Sequence, residues 1–191
     1  MALRLWPSLP CLALLALTGC HRSQQFQGVS NITGVTWGQP FILTDAAGHS
    51  FNTASLHGKV ILLYFGYIRC TDVCVPTLRR LALMLPRLGT QARRVAVVFV
   101  SVDPHDTPAR LYRFLHPLNP AFIGLTGTKT AVDKVVQEFH VADVRVAGAD
   151  VKDRYAHSDG IYVLGPHGRV RLYAPATIRL RDLRHDVRLL L

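Results

Sequence analysis

Two uninterrupted apolar runs constrain this chain most. Residues 60–65 read VILLYF and residues 95–102 read VAVVFVSV. A strand with one solvated face alternates apolar and polar side chains. A run without alternation fits a strand buried on both faces of a sheet. Helical spacing follows each run. Leu78, Leu81, Ala82 and Leu85 fall at i, i+3, i+4 and i+7, with Arg79 and Arg80 on the other side. After the second run, Asp106-Thr107-Pro108 offers an N-cap (Thr107 or Asp106) and a proline for the first helical position. This alternation predicts an α/β fold with a central mixed β-sheet flanked by helices.

The remaining elements fit that frame. Residues 41–43 read as a short strand before the turn Asp45-Ala46-Ala47-Gly48. Pro76 is tolerated only in a first helical turn, so the first helix should start at about Cys74, and Pro86 should end or kink it. Residues 128–139 read as a helix, and residues 177–191 as a basic one. Residues 161–164 and 170–173 form a predicted hairpin across Gly165-Pro166-His167-Gly168.

The N-terminus is set apart from the fold. Arg4 precedes an apolar run at residues 9–17, too short for a spanning helix of about 20 residues. It reads as a secretory signal peptide. Its end, Leu17-Thr18-Gly19-Cys20, resembles the bacterial lipobox, in which the cysteine is lipidated and cleavage falls just before it. An ordinary signal peptide, with its small residues before a cleavage site, is the alternative reading. The expected organisation is a lipoprotein signal peptide at 1–19, a lipidated N-terminus and flexible tether at 20–38, and one domain at 39–191. The protein would be exported and membrane-anchored, facing the periplasm or the cell exterior. A net charge of +10 favours anionic membrane surfaces or acidic partners. Export and the lack of a nucleic-acid motif argue against nucleic acid.

Export sharpens the cysteine count. Of the four cysteines, Cys11 leaves with the signal peptide and Cys20 takes the lipid. Cys70 and Cys74 remain, placed between a buried strand and a helix start. Residues four apart face the same way on a helix, so the two sulfurs could form a disulfide or share one metal. Cys74 near the positive helix end is expected to favour thiolate. Two thiolates suit soft Cu(I), and an imidazole would extend this to Cu(II). A structural zinc site would want four ligands. His157 lies just before the strand at residue 161. His49, His57, His105, His116, His140, His167 and His185 read as solvated loop or surface residues.

Three blocks carry a family resemblance. Residues 59–78 (KVILLYFGYIRCTDVCVPTL) look like the signature of the Sco/SenC family of copper proteins. Residues 100–108 (VSVDPHDTP) and 156–168 (AHSDGIYVLGPHG) are similar to its second and third blocks. The resemblance implies a thioredoxin-like fold and a copper ion, Cu(I) or Cu(II), held by Cys70, Cys74 and His157. It implies a metallochaperone that serves the copper-accepting subunit of cytochrome c oxidase in assembling its binuclear copper centre. A periplasmic copper donor and a thiol reductant would be further partners. Asp72 matches the family aspartate between the cysteines. It either tunes the charge near the metal or stabilises the helix N-terminus. Asp103 matches the second block, with a turn or capping role.

The chain departs from the family at four places. Thr71 and Val75 stand where it has prolines, with Pro76 one place later. Ala156 and Gly165 stand where it has aspartates. The alternative function is a membrane-anchored thiol-disulfide oxidoreductase that reduces a partner's cysteines. Such enzymes usually show C-x-x-C and a proline before the facing strand, and this chain has no proline between Pro120 and Pro166. A peroxiredoxin-like peroxidase would need Thr-x-x-Cys with an arginine. Arg69 precedes Cys70, but no threonine stands three residues before that cysteine.

Overall fold

The computed structural model describes residues 25–141, 143–145, 155–157 and 159–191, with 143–145 and 155–157 as backbone. Cys20 and the expected signal peptide lie outside them.

The two apolar runs are the centre of the sheet. The strands β1 (Ser30–Asn31), β2 (Ile42–Asp45) and β3 (Ser50–Asn52) precede β4 (Val60–Gly66). Then come α1 (Cys74–Met84), β5 (Val95–Ser101), α2 (Pro108–Leu115), β6 (Ile123–Thr126) and α3 (Lys129–Glu138). β7 (Asp143–Arg145), β8 (Tyr155–His157), β9 (Ile161–Leu164), β10 (Val170–Ala174) and α4 (Leu180–Leu190) complete the described chain. Eight of these strands form one sheet in the order β1-β10-β9-β4-β5-β6-β2-β3. β4 pairs in parallel with β5, from Val60↔Val95 to Gly66↔Ser101. It pairs antiparallel with β9, with Tyr64 opposite Ile161. The sheet is therefore mixed, as expected of a thioredoxin-like fold.

Period-two alternation divides β4 between two cores. Val60, Leu62 and Tyr64 pack with Leu78, Leu81 and Met84 of α1, Leu111 and Leu115 of α2, and Leu183 and Val187 of α4. Ile61, Leu63 and Phe65 pack with Val132, Val135 and Val136 of α3 and with Phe139. Burial on both faces is why neither run shows polar alternation.

The helix boundaries follow their local chemistry. The Thr107 side chain accepts from the Arg110 N–H, and Pro108 opens α2. Thr128 caps α3 in the same way through the Ala131 N–H. α1 stops at Met84, before Pro86, and a 3-10 stretch broken at Gly89 (φ 61°) leads to β5. The segment 27–38, expected to be a tether, lies against the domain. The Gln27 N–H donates to both Asp186 carboxylate oxygens at 2.8 and 2.9 Å. Ser30 and Asn31 pair with Tyr173 and Leu172, and the Gly38 N–H donates to Glu138 at 2.9 Å.

Candidate metal centre

The loop from β4 carries Cys70 and runs into Cys74, the first residue of α1, and the segment after β5 clamps it. The Ile68 N–H donates to Asp106 Oδ2 at 2.9 Å, and Arg69 Nη2 pairs with Asp103 Oδ2 at 2.8 Å. The two aspartates are themselves fixed. The Ser101 hydroxyl donates to Asp106 Oδ2 at 2.7 Å, and the His105 N–H donates to Asp103 Oδ1 at 2.9 Å. Both are buried, at 1% exposure. Burial by itself would push the Asp103 carboxyl up. The His105 N–H, Arg69 and the His105 ring outweigh that and hold it below the usual carboxylate range. Asp103 thus has its expected turn role together with an ion pair to the residue before Cys70.

Cys70 caps α1. The Val73 side chain at the N-cap makes no capping hydrogen bond. The Cys74 N–H instead donates to Cys70 Sγ at 3.3 Å, and the Val75 N–H reaches the Cys70 carbonyl at 3.4 Å. Pro76 has no N–H to satisfy, so the first-turn donors that a helix leaves unpaired are largely answered. A sulfur that accepts an amide N–H at the positive end of a helix is a favourable place for negative charge.

This corrects the expectation that the helix end would favour thiolate at Cys74. Cys74 is wholly buried and Cys70 is half-buried. The hydrogen bond to Cys70, then burial, then the nearby negative charge of Cys70 push the Cys74 thiol well up from its ordinary value. The helix end acts on Cys70, outside the helix, while Cys74 points into the core. Beside it stands Tyr64, whose hydroxyl lies against Cys74 and Thr77 and is pushed up chiefly by burial. A Cβ on Gly66 would fall 2.8 Å from Cys74 Sγ and 2.8 Å from Phe99, so glycine makes room for the sulfur.

Asp72 is exposed, and its Oδ1 accepts from the Thr71 hydroxyl at 2.9 Å. His157 ends β8, whose only partner among the described residues is β7, with Asp143 opposite His157. Its backbone leads into β9 at Ile161, which sits opposite Tyr64 near the end of β4 that carries the cysteines. Four positions separate His157 from Ile161 along the chain. Among the described residues no group of three or more His, Cys, Asp or Glu could hold a metal. The described chemistry is two cysteine sulfurs, one buried and one half-buried, a soft donor pair that fits copper.

Sequence reading missed Gly66 and Tyr64, and the part that Arg69 and Asp106 play in holding the cysteine loop. Gly66 and Arg69 adjoin the cysteine motif. The contact of Asp106 with Ile68 spans 38 residues and has no local signature.

Comparison with known proteins agrees with this geometry. The SCO1/SenC family model matches residues 30–191. A SCO2-like protein of Rickettsia conorii is 34% identical over 135 residues, covering 69% of this chain and 66% of its own length. The chain therefore matches just under two thirds of that relative. ScoI of Bradyrhizobium japonicum, a structure with copper bound, superposes with a TM-score of 0.73 at 32% identity, covering 81% of this chain and 99% of that one. Apo Sco1 of Thermus thermophilus gives a TM-score of 0.75 at 29% identity, covering 89% and 99%. With its cysteine pair at the start of α1 and a family match that runs through every described strand and helix, this chain belongs to the SCO1/SenC family.

Proposed function

We propose that this protein is a copper metallochaperone that holds copper through Cys70, Cys74 and His157 and assists assembly of the binuclear copper centre of cytochrome c oxidase. The observation that carries the reading is the sulfur pair itself. Cys70 Sγ sits on the N–H of Cys74, at the positive end of α1, with Cys74 buried behind it. Two such sulfurs favour Cu(I), and an imidazole from residue 157 would add a donor suited to Cu(II). The copper-bound ScoI of Bradyrhizobium japonicum supports the choice of metal. Lipidation at Cys20 would hold the domain at the membrane facing the periplasm or cell exterior, beside a membrane-bound acceptor. Asp72, one residue before the N-cap, adds negative charge near the cysteine loop.

Copper titration of the purified protein tests this. One copper per chain is expected, lost in the double variant Cys70→Ser/Cys74→Ser. Retained stoichiometric binding in that variant would refute the site. Deletion of the gene should lower oxidase activity at low copper, with recovery at high copper. A deficit unchanged by copper would point to the redox role.

A second reading has its own support. A half-buried sulfur at a helix end with a buried thiol behind it is also the arrangement of an attacking and a resolving cysteine. Thiol-disulfide reduction of a partner's cysteines would then be the activity. Catalytic turnover of a protein disulfide with a thiol reductant is its test, and stoichiometric reaction alone would count against it.

A further inference from the structure

We propose that the edge formed by α4 and the 3-10 stretch Leu85–Arg94 docks onto an anionic lipid bilayer, turning the cysteine pair away from it. The charge distribution comes first. Residues 74–100 contain five arginines and no acidic residue. Residues 160–191 contain six arginines and two acids, Asp182 and Asp186. Both acids are buried and engaged, Asp182 by Arg179 and Arg181, and Asp186 by His185 and the Gln27 N–H. Arg87 and Arg184 have no carboxylate partner among the described residues. Arg188 donates to the Arg87 carbonyl at 3.1 Å and so joins α4 to the 3-10 stretch. Among the described residues, this edge presents arginine on its outward side and no exposed Asp or Glu side chain. The other face of the sheet differs, since α3 offsets its lysines with Asp133 and Glu138.

The route of the chain selects a bilayer over an acidic protein. Gln27 is tied to Asp186 on α4, so the N-terminal segment meets the domain on this same edge. Cys20 lies seven residues before Gln27. Seven residues reach about 25 Å at full extension. This step rests on the reading of Cys20 as lipidated. An acyl anchor there would keep the arginine edge within that reach of the headgroups, and an anchor joined to a basic patch is a two-signal membrane attachment. The opposite end of α1 carries the cysteines. Cys74 begins the helix and Met84 ends it, about 15 Å away along the axis at 1.5 Å per residue, and Arg87 lies beyond that end. Docking by the arginine edge would leave Cys70 open to a partner on the aqueous side.

Hydrogen exchange on the full chain, added to vesicles, tests the proposal. Vesicles of phosphatidylcholine alone are compared with vesicles containing one third phosphatidylglycerol. Amides of Leu180–Leu190 are expected to exchange about fivefold more slowly on the anionic vesicles, the effect of roughly one arginine near a charged surface. The protection should vanish in 1 M salt, where the Debye length is about 3 Å. It should also vanish in Arg87→Gln/Arg184→Gln/Arg188→Gln and persist in the matching lysine variant. Equal exchange on both vesicle types overturns the proposal, as does stronger protection by polyglutamate or inorganic phosphate than by the anionic vesicles. Retention of the protein on neutral vesicles in 1 M salt reports lipidation separately, so failure of the anchor and failure of the docking edge are distinguishable.

Discussion

The two segments that would supply copper ligands are built differently. The cysteine loop is tied down from both sides. Its Ile68 N–H and Arg69 guanidinium bind the aspartates after β5, and its Cys70 caps α1. The segment that ends at His157 belongs to a separate two-stranded ladder, three residues on each side, apart from the eight-stranded sheet among the described residues. The contrast is one of preorganisation. The sulfurs are placed by a dense polar and packing frame before any metal arrives. The imidazole proposed as the third ligand belongs to a short ribbon that precedes β9 in the chain. Cu(I) affinity should then be set by the loop, and the added hold on Cu(II) by the ribbon.

The sharpest break of this comparison is on the loop side. Cys74→Ala and Cys70→Ala should each remove stoichiometric Cu(I) binding, but their structural costs should differ in kind. Cys70→Ala deletes the acceptor of the Cys74 N–H and should cost about 1 kcal/mol, the worth of a helix cap. Cys74→Ala opens a small void in the core beneath Tyr64 and Gly66. Denaturant unfolding together with copper titration separates the two.

Next is Gly66→Ala. Its methyl would press on Cys74 Sγ and the Phe99 ring, and overpacking of this kind costs about 1–3 kcal/mol. Copper affinity should fall with stability, because the displaced atom is the sulfur proposed as a ligand. A fall in stability with copper affinity unchanged would show that the sulfur position is not set from β4.

Asp103→Asn should cost about 1–2 kcal/mol. It weakens the pairing of a guanidinium that is 37% exposed, which limits the loss. The acid side gives a second readout. The Asp103 carboxyl is held below its unfolded value, so its contribution is complete above about pH 3.9 and is lost as pH falls through the lower folded value. The variant should therefore lose less stability between about pH 4 and pH 2 than the parent. Equal acid-side slopes would remove Asp103 from the clamp.

The smallest effect belongs to Asp72→Ala. The side chain is exposed, with the Thr71 hydroxyl as its recorded partner, so stability should change by less than about 0.5 kcal/mol. Any shift in copper affinity would then report charge near the metal rather than helix stability.

Much of this was legible in the sequence where a residue's environment follows from its neighbours. β4 and β5 showed as unbroken apolar runs because both their faces are covered. The start of α1 followed from Pro76, and the start of α2 from Thr107-Pro108. What stayed hidden depended on distant partners. The segment at 27–38 gave no periodic signal, because it is held by hydrogen bonds to Asp186 and Glu138, by a two-residue strand and by irregularly spaced apolar residues, Val29, Ile32, Val35 and Trp37, that pack on the two cores. The thiolate assignment to Cys74 failed for a related reason. The helix position was read correctly, but the core that encloses the thiol is assembled from β4, β5 and α1. The cysteine pair was legible from its motif, whereas His157 was identified by resemblance and lies on an element whose pairing no local pattern announces.

The division of labour between loop and ribbon is tested most directly by measuring both copper affinities in His157→Ala. Cu(I) affinity should stay close to that of the parent, because the sulfur pair and its clamp are intact. Cu(II) affinity should drop, with the loss of the absorption bands that report imidazole and thiolate together, while the dithiol remains oxidisable. Unchanged Cu(II) affinity would contradict the three-ligand site and leave the sulfur pair as the whole of the copper centre.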